Sequence, residues 1–171
     1  MTPIETMVRM GELAVSSERG RVLVSLGLGS CIGLALVDRR MGIAGLAHIV
    51  LPQAQGHTNE NSRRFADLAV PEMLEALDDL GARRVRLEAV LVGGASMFAV
   101  SAASMEVGQR NEAAVRAILQ GLRIPVAAAA TGGSRGRTIR VDVGTSAVTV
   151  REAGGKDTEL LPASTTMETA A

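Results

Sequence analysis

Short apolar runs separated by glycine-rich or charged turns fill the first third of the chain. Val22, Val24 and Leu26 alternate with Leu23 and Ser25. Ile32 to Val37 is an apolar run too short for a lone helix, and Asp38 to Gly42 is a charged turn. Ile43 to Leu51 is a third apolar run, containing Gly45. Runs of this length between turns predict buried strands. Gln53 to Ser62 is polar and reads as an exposed loop, with His57 on its surface. The period then becomes helical: Ala66, Val70, Met73, Leu74, Leu77 and Leu80 share one face, and Gly81 is a natural stop. Pro71 falls inside this pattern, where a proline either kinks the helix or starts it.

Val85, Leu87, Ala89 and Leu91 alternate with Arg84, Arg86 and Glu88, which predicts a half-buried strand ending at Gly93-Gly94. A second helix is expected over about Gln109 to Leu122, with Ala114, Val115, Ile118, Leu119 and Leu122 on one face. Val126 to Ala130 reads as a buried strand. Ile139, Val141 and Val143 alternate with Thr138, Arg140 and Asp142. Gly144-Thr145-Ser146 then turns the chain into Val148 and Val150, a hairpin. From Ala153 onward Glu, Thr, Ser, Gly and Ala dominate, so residues 153–171 are expected to form a flexible tail. The pattern describes one domain over residues 1–152, a layered α/β protein with a mixed sheet.

Composition narrows the function classes. The 171 residues are 47% hydrophobic, with two Phe and no Trp or Tyr, so the core is aliphatic and base stacking on aromatic platforms is not expected. Eighteen basic side chains balance eighteen acidic ones, which leaves no basic excess for nucleic acid. The pairs Arg39-Arg40, Arg63-Arg64 and Arg83-Arg84 read as solvated turns. One cysteine excludes an internal disulfide and a Cys-rich metal site, and fits a reducing compartment. The first residues lack a basic segment followed by an apolar run, so no secretory signal is expected. No apolar run reaches membrane-spanning length.

The candidate chemistry lies in Ser25-Leu26-Gly27-Leu28-Gly29-Ser30-Cys31 and in Ala47-His48-Ile49-Val50-Leu51-Pro52. A thiol and an imidazole are the parts of nucleophilic acyl chemistry. Cys31 as a small buried hydrophobe and His48 as a core histidine is the plain alternative. Gly27 and Gly29 permit a sharp turn, and N–H groups around Cys31 are candidates to bind an oxyanion. Ser25 and, less directly, Ser30 are hydroxyls able to orient the imidazole. The glycine spacing is one residue too long for a dinucleotide fingerprint, and no phosphate-binding loop is present. Gly29-Ser30-Cys31-Ile32-Gly33 has the spacing of a nucleophile elbow, but a strand-like run follows it and no histidine occurs late in the chain.

These segments resemble CheD, the chemoreceptor glutamine deamidase family of bacterial and archaeal chemotaxis. Phe65-Ala66-Asp67, Gly93-Gly94-Ala95-Ser96-Met97-Phe98, Gly108-Gln109-Arg110-Asn111 and Thr131-Gly132-Gly133-Ser134-Arg135-Gly136-Arg137 follow in the family's order, over roughly Met7 to Arg151. The resemblance implies an α/β/α layered sandwich with mixed sheets, related to the deamidating domain of cytotoxic necrotizing factor toxins. It implies Cys31 as nucleophile on a receptor glutamine, a thioester intermediate, and His48 as alternating base and acid. Ser25 stands where the family has threonine. The resemblance calls for no cofactor and no metal. It implies a chemoreceptor as substrate and a CheC-type phosphatase as partner, and a cytoplasmic monomer acting on the receptor's helical bundle is expected. Regulation of that phosphatase without catalysis is the main alternative function. A transglutaminase or a cysteine peptidase would use the same thiol. Arg110, Asn111 and Arg137 either shape the domain or border the site.

Overall fold

The structure is a computed structural model that describes residues 2–56, 61–96 and 102–165, the side chains of 102–106 excepted. The described elements run β1 (Ile4–Met7), β2 (Leu13–Ser16), β3 (Arg21–Leu28), β4 (Ile32–Asp38), β5 (Ile43–Ile49), α1 (Ala66–Asp79), β6 (Leu87–Gly93), α2 (Ala102–Gly121), β7 (Val126–Thr131), β8 (Arg137–Asp142), β9 (Val148–Glu152) and β10 (Asp157–Leu161). The strands form two five-stranded mixed sheets. The first has the order β1-β3-β8-β9-β10 and the second β2-β5-β4-β6-β7.

Alternation along β4 shows how the layers form. Ile32, Leu34 and Leu36 pack with Val70, Met73 and Leu77 of α1 and with Val115 and Leu119 of α2. Ala35 and Val37 point the other way, into an aliphatic layer with Leu23, Leu28, Ile139 and Val141 of the first sheet. The expected α/β class with layered mixed sheets holds, and its layers run helices, sheet, sheet. Both helices lie on one side of the second sheet, because its other face is closed by the apolar face of the first.

Several elements differ from their sequence expectation. The strand expected from Val85 starts at Leu87, because Arg84–Arg86 form a short 3-10 turn that leaves Val85 in solvent. It is buried almost throughout, lying between β4 and β7 with both faces covered. β7 is a half-exposed edge strand. α2 starts at Ala102, well ahead of Gln109. β1 and β2 are only four residues long, without a clear alternation, and they find their partners only in distant β3 and β5. Residues 157–161, expected within the flexible tail, form β10. It pairs antiparallel with β9 and buries Leu161 against the inter-sheet core. Pro71 lies inside α1. His57, Met97 and Phe98 lie outside the described residues.

Candidate functional site

The nucleophile candidate sits where the chain changes layers. β3 belongs to the first sheet and β4 to the second, so Gly29–Cys31 is a crossing between them. β1 and β2 are joined by another such crossing, which begins at Val8. Gly27, with φ +63°, lies at the bulge where the β3–β8 register shifts, and it lets β3 bend toward the crossing. Gly93 ends β6, Gly94 follows it, and the two close over the same turn. Gly94 N–H donates to the Cys31 carbonyl at 2.9 Å, and Ala95 N–H donates to the Gly29 carbonyl at 2.8 Å.

Cys31 and His48 share the face of the second sheet that looks toward the first. Gly33 pairs with His48 in the β4–β5 ladder, and Cys31 stands two residues before Gly33. The two side chains are therefore diagonal neighbours, a separation of about 7–8 Å between backbones that long side chains span. Gly33, between them on this face, leaves room for the first sheet to pack close: a Cβ there would lie 2.8 Å from Leu28 Cδ1 and 3.1 Å from Ile139 Cγ2. Cys31 is 8% exposed and His48 3%.

One backbone carbonyl organises the imidazole. His48 Nδ1 lies 3.3 Å from the Val8 carbonyl. A carbonyl only accepts, so Nδ1 carries the proton and Nε2 presents its lone pair. That Nε2 is buried and makes no hydrogen bond among the described residues. Ser25 Oγ donates to the same Val8 carbonyl at 2.7 Å. Ser25 thus reaches His48 through Val8. The backbone of His48 is held as well: its N–H donates to the Glu12 carbonyl and its carbonyl accepts from Gly11, both at 3.0 Å.

The electrostatics leave the pair neutral. Burial pushes the Cys31 thiol above its ordinary value, and its own backbone N–H and the Arg64 charge pull it back in part. Burial pushes the His48 imidazole down, opposed by the Val8 carbonyl and the Glu12 carboxylate. Near neutral pH the proton rests on sulfur, and Nε2 is an unprotonated base. Access to His48 is through a mainly apolar hollow of about 610 Å³, with exposed Met10 and Leu26 among its lining and Glu12 and Arg9 at its side.

Sequence reasoning passed over part of this arrangement. The Val8 carbonyl carries no sequence signal. Arg64, read as part of a solvated turn, is half-buried and close enough to bias the thiol. Asn111 is fully buried, and its Nδ2 donates to the carbonyls of Ser30 and Val50. Its signal was a polar residue on the same helical stripe as Val115 and Ile118. Arg137, 7% exposed, donates to the carbonyls of Gly93 and Gly132 and so braces the loops behind the cysteine. Ser30 contributes its carbonyl through that Asn111 contact. Among the described residues no cluster of His, Cys, Asp and Glu is arranged to hold a metal ion. No described helix is long and apolar enough to cross a membrane.

Comparison with known proteins agrees with the motif order. The family described as CheD chemotactic sensory transduction matches residues 50–152. A probable chemoreceptor glutamine deamidase CheD of Clostridium kluyveri is 44% identical over 135 residues, covering 77% of this chain and 83% of the relative. A protein of the same description from Moorella thermoacetica is 44% identical over 156 residues, covering 89% and 93%. Among solved structures, a Neisseria meningitidis protein of the DUF152 family aligns with a TM-score of 0.48 at 11% identity, over 77% of this chain and 63% of that one. With relatives this similar over most of both sequences, the chain belongs to the CheD family.

Proposed function

We propose that this protein is a protein-glutamine deamidase that converts glutamine side chains of chemoreceptors to glutamate through a thioester on Cys31. The observation that carries the reading is the unpartnered, buried Nε2 of His48 on the same inter-sheet face as the chain's single thiol. The names of the curated relatives supply the substrate class.

In the proposed cycle, Nε2 takes the Sγ proton as sulfur attacks the side-chain amide carbon. The tetrahedral intermediate then collapses. The C–N bond breaks, the proton on Nε2 passes to the departing nitrogen, and ammonia leaves a thioester. Nε2 next removes a proton from water, hydroxide adds to the thioester carbon, and the C–S bond breaks. The proton returns to sulfur as glutamate leaves. Val8 holds Nδ1–H throughout, so the same nitrogen serves as base and acid. Ser25 acts by fixing that carbonyl. Exposed Met10 and Leu26 beside His48 suit a protein surface better than free, charged glutamine.

The protein works in the cytoplasm as a monomer, on the helical bundle that a receptor presents there. The test is incubation with a receptor cytoplasmic fragment, beside a Cys31→Ala control, followed by peptide mass mapping. Conversion of discrete glutamines to glutamate by the native protein alone supports the reading. An intact protein that binds receptor or a CheC-type phosphatase tightly and converts nothing overturns it in favour of a regulator.

Ser25→Ala removes one of two donors on the Val8 carbonyl and leaves the His48 contact. A net hydrogen bond is worth about 0.5–1.5 kcal/mol, so kcat is expected to fall about 2–10-fold. Ser25→Thr is expected to keep the activity. Steady-state rates on the receptor fragment check both.

A further inference from the structure

We propose that Asn111 is a positioning residue that fixes Cys31 and His48 relative to one another. The proposal rests on the deamidase reading only for its catalytic consequence. The Asn111 side chain comes from α2, on the helix side of the second sheet, and it is fully buried. Its Nδ2 donates to the Ser30 carbonyl at 3.0 Å and to the Val50 carbonyl at 2.9 Å. Ser30 directly precedes the thiol, and Val50 lies two residues beyond the imidazole. One amide nitrogen therefore clamps the ends of the two segments that carry the reacting groups, where the β4–β5 ladder gives out beyond Ile32 and Ile49.

Both donors of the amide are spent on this clamp. Its Oδ1 is buried and makes no hydrogen bond among the described residues. An unpaired buried acceptor costs stability that an apolar side chain would not. A residue chosen for packing alone would continue the stripe of Val115 and Leu119. The helix also presses on the cysteine turn from a second point. A Cβ on Gly108 would lie 2.7 Å from the Gly94 carbonyl oxygen, and Gly94 N–H is bonded to Cys31. α2 is thus close enough for a side chain as short as Asn to reach both strands.

The test is a double-mutant cycle on the alkylation of Cys31, the single cysteine, by iodoacetamide at neutral pH. Asn111→Leu keeps the number and branching of side-chain heavy atoms and removes both donors. It is expected to slow alkylation about tenfold in the native background and to have no further effect after His48→Ala, because the clamp acts through the pair. On receptor fragment, kcat is expected to fall about 10–100-fold with KM changed by less than about twofold. Native alkylation by a folded Asn111→Leu overturns the proposal, as does an equal slowing in both backgrounds. Should Asn111→Leu not fold, Asn111→Ser leaves room for water on the two carbonyls and carries the same comparison. If the native protein deamidates nothing, the deamidase reading falls, and the alkylation cycle still decides the role of Asn111.

Discussion

His48→Ala is expected to lower kcat for deamidation by about 10²–10⁴-fold, the usual contribution of a positioned acid–base group. The pH profile of the native protein separates this role from a structural one. Burial disfavours imidazolium, so the His48 pKa lies below its ordinary value. In the proposed cycle the neutral ring is the base. The rate should therefore hold through about pH 6.5, where a free imidazole is half protonated, and fall only at lower pH. Glu12 favours the protonated ring. Glu12→Gln should move the acidic limb lower still, with little change at the plateau. On the alkaline side the thiol is raised by its own burial, so base-assisted attack persists beyond the range where an ordinary thiol ionises. Folding stability follows the same sign. As pH falls through the ordinary imidazole value, the unfolded chain takes up a proton that the folded chain refuses, and stability drops. Rates on a receptor fragment and unfolding curves, both taken across pH, check these outcomes.

Gly93→Ala is expected to remove activity by about 10²-fold or more, through the nucleophile turn rather than the histidine. Gly93 has φ +118°, outside the range comfortable for a side chain. A Cβ at this position would lie 2.1 Å from the Cys31 carbonyl oxygen and 3.2 Å from the Cys31 carbonyl carbon. Both are backbone atoms, so the clash is relieved only by moving the cysteine or the end of β6. Strain and displacement together should cost about 3 kcal/mol or more of stability. Gly132→Ala is the matched control. That glycine has φ +80° with nothing within 4 Å of the added Cβ, so only the dihedral cost of about 1–2 kcal/mol remains. Unfolding midpoints and rates for the two variants should separate widely.

The parts of this fold that were legible in the sequence are those written in one segment. β4, β5 and the β8–β9 hairpin bury at least one face within a short run, so their pattern is strong. α1 declared itself by Ala66, Val70, Met73 and Leu77 on one stripe. β1, β2 and β10 gain their definition from pairing with residues elsewhere, and a run such as Asp157–Leu161 reads as a tail until β9 is beside it. The same division holds at the site. Cys31, His48 and Ser25 could be chosen because their side chains announce chemistry. The Val8 carbonyl could not, because every residue has one and only the crossing between β1 and β2 puts this one against His48. Asn111 was named only through the motif Gly108-Gln109-Arg110-Asn111, and its two acceptors lie far away in sequence.

The passage of the chain between layers has a consequence for how the enzyme fails. Ser25 belongs to one sheet and His48 to the other, and the carbonyl they share lies on a connection between the two. Between the sheets lie mostly aliphatic side chains, which resist separation but specify lateral position only weakly. Catalytic alignment is thus a gauge of how the two sheets sit on one another. A slip too small to expose the core would already carry the imidazole off its mark. Heat, denaturant or a ligand wedged at the sheet margin would silence the protein while its secondary structure still stood.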